Sequence, residues 1–102
     1  MTRFTVSCRN APPRVAAIRR AAVRRGATVR RLVTFTDPGA DTWRARITWG
    51  DGSGRHRRYL GHAHRFAIHH AFRRTGSFTV TVKVYDQHGA YGLRRFRVTV
   101  RP

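Results

Sequence analysis

Through much of the second half of the chain, apolar and polar residues alternate one by one. Trp43, Ala45, Ile47 and Trp49 fall on one side of an extended chain, with Arg44, Arg46 and Thr48 on the other. Phe78, Val80, Val82 and Val84 alternate with Thr79, Thr81, Lys83 and Tyr85, and Phe96, Val98 and Val100 with Arg97, Thr99 and Arg101. This period of two predicts strands with one buried face, because successive side chains of a strand point to opposite sides. Phe66, Ile68, His70 and Phe72 make a fourth apolar row, and Val29, Val33 and Phe35 a fifth. Arg31 stands in phase with the fifth row, so either its guanidinium snorkels at the sandwich end or a bulge shifts the register.

Turn signals separate these rows: Asp37-Pro38-Gly39, Gly50-Asp51-Gly52, Thr75-Gly76-Ser77 and Gln87-His88-Gly89. Short strands with turns between them predict a β-sandwich or barrel. Residues 14–25 read differently. Val15, Ile18, Ala22 and Val23 sit at helical spacing ahead of Gly26, a candidate C-cap, so local propensity there favours a helix.

With 102 residues, 40 % of them hydrophobic, the chain has the size and the apolar content of one domain. Its charge changes the picture. Twenty-two basic residues face four acidic ones, for a net charge of +18; all the bases but Lys83 are arginine, and there is no glutamate. Such a surface attracts nucleic acid, acidic polysaccharide or lipid headgroups through charge alone. The arginines are scattered from Arg3 to Arg101, which favours a compositional origin over a dedicated patch. Cys8 is alone, so no internal disulfide forms. No stretch has the length of a membrane span, and the basic N-terminus lacks the apolar core of a secretory signal.

Several of the turn and strand motifs together resemble a PKD (polycystic kidney disease) repeat. The stretches are Phe35-Thr36-Asp37-Pro38-Gly39-Ala40-Asp41, Trp49-Gly50-Asp51-Gly52-Ser53-Gly54, His70-Ala71-Phe72, Gly76-Ser77-Phe78-Thr79-Val80-Thr81-Val82, and Val84-Tyr85-Asp86 with Gly89. Asn10-Ala11-Pro12-Pro13 resembles the linker that opens such repeats. The resemblance implies an all-β, immunoglobulin-like antiparallel β-sandwich of about seven strands, with residues 14–25 an edge strand and loop rather than a helix. It also implies a monomeric, non-catalytic spacing or adhesive module beside neighbouring repeats or domains of an extracellular or cell-surface protein. Phe4 to Arg9 echoes Phe96 to Arg101 in phase, so residues 1–9 are expected to be the last strand of an upstream copy, and 10–102 the domain. Departures from the family are the arginines, which stand where acidic or neutral residues are usual, and Phe72 and Phe78, where tyrosine is common.

Candidate sites follow from the few acids and the basic clusters. Trp49, Asp51, His70, Gly76 and Phe78 sit at motif positions that read as structural, Asp51 as acceptor for backbone N–H groups in its turn. Asn10, Asp37, Asp41 and Asp86 fall on loops that such a sandwich gathers at one end, where their oxygens could hold calcium. Capping and turn roles compete for the same aspartates. His62, His64, His69 and His70 lack any spacing that zinc requires. Arg55, Arg57 and Arg58, with Tyr59 beside them, are the densest basic cluster and the candidate for a polysaccharide or other polyanion. Catalysis lacks parts: no serine has an Asp–His pair suggested by sequence, and no paired carboxylates form an acid–base motif.

Overall fold

The computed structural model describes residues 12–37 and 42–102. Its strands are β1 (Arg14–Val15), β2 (Ala21–Arg24), β3 (Thr28–Thr36), β4 (Trp43–Thr48), β5 (Arg55–Gly61), β6 (Arg65–Ala71), β7 (Gly76–Asp86) and β8 (Tyr91–Arg101). They form two sheets, in the orders β1-β3-β6 and β2-β8-β7-β4-β5. The alternating rows form the facing surfaces. Val29, Val33 and Phe35 of β3 and Phe66 and Ile68 of β6 bury against Trp43, Ala45 and Ile47 of β4, the valines of β7, and Phe96, Val98 and Val100 of β8. Each fully buried valine or phenylalanine contributes about 1.5–3 kcal/mol of hydrophobic stabilisation.

The expected all-β sandwich is present, with two differences of detail. Eight strands are described rather than about seven, and the pairing is not antiparallel throughout, since β2 runs parallel to β8 from Ala21↔Val98 to Arg24↔Arg101. Residues 14–25 are indeed an edge strand and loop, but the edge is shared between the sheets. β1 pairs with β3, and Ala16 donates its N–H to the Thr34 carbonyl. The chain then crosses to the larger sheet, where β2 pairs with β8. Inter-strand bonds prevail over helical propensity because an isolated helix of this length is marginal without tertiary packing. Gly26 serves the turn that follows, at φ +88°, with its N–H on the Phe72 carbonyl.

Arg31 keeps its inward phase without a bulge, opposite Ile68. Its guanidinium donates to the carbonyls of Arg19, Arg20 and Arg30 at 3.0, 2.9 and 2.6 Å, holding the crossing loop between β1 and β2. Two further arginines do the same between sheets. Arg94 of β8 donates through Nε to the Val15 carbonyl at 2.9 Å, and Arg58 of β5 donates through Nη1 to the Ala67 carbonyl of β6 at 2.6 Å. In a chain with four aspartates, backbone carbonyls take the place of carboxylates as guanidinium acceptors.

Candidate functional site

β4 ends at Thr48, and the turn after Trp49 is built on a close approach. Gly50 has φ +80°, and a Cβ there would collide with the Thr79 carbonyl, so the position admits glycine only. The turn carries Asp51 to His70, whose Nε2 lies 2.7 Å from Asp51 Oδ2. Asp51 Oδ1 accepts the Ser53 N–H at 3.1 Å, and the Asp51 carbonyl accepts Arg74 Nη2 at 2.8 Å. The His70 ring stacks on Trp49 with centroids 4.8 Å apart and meets the edge of Phe72 at 4.9 Å. Burial by itself pushes the Asp51 carboxyl up, but the hydrogen bonds from Ser53 and His70 outweigh it and hold the pKa at about 2. An Asp–His pair therefore exists where sequence reasoning suggested none, and it locks the Trp49 turn to β6. Phe78 completes this end, stacked on Phe72 at 5.1 Å. Gly76, at φ +133°, opens β7 opposite Val100.

At the opposite end of the sandwich lie the remaining described aspartates, both buried. Asp37 Oδ2 accepts the Trp43 indole N–H at 3.1 Å. Asp86, opposite Trp43 in the β4–β7 register, accepts the N–H groups of His88 and Ala90 through Oδ1 at 2.8 and 3.0 Å. Its Oδ2 is buried and has no hydrogen-bond partner among the described residues. Asn10 and Asp41 lie outside the described residues, as do residues 1–9. No group of three or more His, Cys, Asp or Glu among the described residues is placed to hold a metal.

The basic cluster divides by strand phase. Arg55 and Arg57 pair with Thr48 and Arg46 on the outer face of the larger sheet. Arg58 points the other way, onto Ala67 and over the Phe66 ring at 5.8 Å. Tyr59 is exposed and lines a groove of about 370 Å³ with Arg44, Arg46, Arg57 and Tyr85. Arg46, expected to be exposed, is half-buried because its guanidinium lies over the Tyr85 ring at 5.4 Å.

Two facing sheets with a short edge strand divided between them define an immunoglobulin-like β-sandwich. Residues 10–100 match the family model of the PKD domain, and the chain belongs to that family. The fold is similar to the PKD domain of an M14-like peptidase from Thermoplasmatales archaeon SCGC AB-540-F20, with TM-score 0.75 and 23 % identity over 92 % of this chain and 100 % of that one. It is similar also to the PKD1 domain of Vibrio anguillarum Epp, with TM-score 0.64 and 18 % identity over 91 % and 98 % of the two chains. The PKD domain of the human VPS10 domain-containing receptor SorCS2 gives TM-score 0.61 and 21 % identity over 98 % and 83 %. No curated protein matches the chain. Membership marks a structural module of a larger protein, and no helix of the described residues is long and apolar enough to cross a membrane.

Proposed function

We propose that this domain is a non-catalytic, in-line spacer of a surface or secreted protein, setting the distance between neighbouring domains and making weak protein or carbohydrate contacts. Support comes from the path of the chain. β1 starts at the Asp86 end, with Arg14 opposite Thr36, whereas β8 finishes at the Asp51 end, with Val100 opposite Gly76 and Arg101 beside Arg24. The chain thus comes in at one end of the sandwich and goes out at the other, and β8 alone advances about 34 Å at 3.4 Å per residue. The Asp51–His70 pair, the one arrangement among the described residues that resembles catalytic parts, has its imidazole packed between Trp49 and Phe72. Small-angle X-ray scattering of one copy and of two copies in tandem tests the spacing. The maximum dimension should grow by about 35 Å, in keeping with strand length; a folded-back pair with little growth contradicts it.

The unpartnered Oδ2 of Asp86 favours a second reading, a calcium-stiffened spacer. A buried carboxylate oxygen without a donor fits a hard cation, and Asp37, Asp41 and Asn10 are the further oxygen donors that loop position suggests. Calcium would then raise the melting temperature of the wild type and leave Asp86→Asn unchanged; equal melting with calcium and with a chelator removes this reading.

A further inference from the structure

The outer face of the five-stranded sheet gathers all three tyrosines of the chain into one line across the strands. Tyr59 of β5 lies opposite Arg44 of β4, Arg44 opposite Tyr85 of β7, and Tyr85 opposite Tyr91 of β8. Tyr59 is 73 % exposed and Tyr91 47 %, while the Tyr85 and Tyr91 rings meet at 5.3 Å, tilted by 44° to one another. A parallel line of cations, Arg57, Arg46 and Lys83, occupies the next outward-facing positions of the same strands. Arg46 and Lys83 lie over the Tyr85 and Tyr91 rings at 5.4 and 4.8 Å, each covering one ring face. No described aspartate shares this face: Asp37 and Asp86 are buried and Asp51 is held by His70.

We propose that this face binds single-stranded nucleic acid, with bases stacked on the tyrosine line and phosphates on the cation line. Neighbouring strands stand about 4.8 Å apart, so the line from β5 to β8 extends about 14 Å, room for two or three nucleotides. The two lines stand two residues apart along each strand, about 7 Å at the backbone, and the Arg46 and Lys83 side chains fold back over the tyrosine rings, so a bound strand draws them off the rings onto its phosphates. An acidic polysaccharide carries its charges on the rings themselves and does not call for separate aromatic and cationic lines. A duplex hides its base faces from side chains on the face of a sheet. The groove of about 370 Å³, lined by Tyr59, Arg44, Arg46, Arg57 and Tyr85, is where a splayed base would sit.

Fluorescence anisotropy at physiological salt tests the proposal with four probes: a twelve-nucleotide oligothymidylate, an abasic strand of equal phosphate count, a duplex and a heparin oligosaccharide. The wild type should bind the oligothymidylate about tenfold or more tighter than the abasic strand, since each stacked base matters on that scale. Tyr59→Ala with Tyr91→Ala leaves the charge of +18 untouched and alters exposed positions. It should abolish the preference while leaving abasic binding unchanged. Equal affinity for the abasic strand overturns the proposal and leaves charge alone. Tighter binding of heparin or of the duplex overturns it as well, and assigns the face to the other polymer.

Discussion

Replacing Asp51 by asparagine keeps the shape of the side chain and removes its charge, so the variant isolates the electrostatic part of the Asp51–His70 lock. The carboxyl sits at about 2 in the folded chain against an ordinary value of 3.8. A difference of that size corresponds to at most about 2.4 kcal/mol, and because the Asp51 side chain remains 12 % exposed, solvent screening reduces the expectation to about 1–2 kcal/mol. The direction follows from proton linkage. The unfolded chain takes up the proton first as pH falls, so the contribution is complete above about pH 5, declines below about pH 4, and is down to a few tenths of a kcal/mol near pH 2. Urea unfolding of wild type and Asp51→Asn at about pH 6 and pH 2 measures it as the difference between the two proteins at each pH. The gap should be about 1–2 kcal/mol at the higher pH and nearly vanish at the lower. A gap that is absent at pH 6, or that persists undiminished at pH 2, refutes the lock.

Trp49→Ala should destabilise by about 3–5 kcal/mol, read by the same urea titration, because the indole is 3 % exposed and supports both His70 and Phe72. Arg31→Ala should cost about 1–3 kcal/mol and speed amide exchange in Ala21–Arg24, since it removes the donors to the Arg19 and Arg20 carbonyls. Deleting residues 1–9 should leave the melting temperature nearly unchanged if they belong to an upstream copy; a fall of about ten degrees, equivalent to a kcal/mol or more, would show that they pair into a sheet.

The strands legible in the sequence are the ones with one face turned to the opposing sheet. β3, β4, β6, β7 and β8 each show an apolar row because one face is covered, and Trp49, His70 and Phe78 stand on those rows. β5 was not legible: Arg55-His56-Arg57-Arg58-Tyr59 has no apolar alternation, since it edges a five-stranded sheet that a three-stranded one does not fully cover. β2 spans four residues, too few for a period to show against the helical spacing around it. The tyrosine line escaped for a different reason. Tyr59, Tyr85 and Tyr91 are scattered in sequence, and only the cross-strand register aligns them. The inward arginines are half-legible: Arg31 stands out from an apolar row, whereas Arg58 sits in a run of bases with nothing to mark its phase.

Stretching the domain by its two ends tests the in-line spacer most directly. β2 and β8 are parallel neighbours, paired from Ala21↔Val98 to Arg24↔Arg101, so tension that enters through β1 and leaves through β8 loads this ladder in shear. Hydrogen bonds in shear are strained together rather than opened one after another. Single-molecule force spectroscopy should therefore record one abrupt rupture per domain, releasing about 3.5 Å of contour for each folded residue. A gradual extension at low force, with the strands peeling in succession, would contradict the proposed in-line spacer.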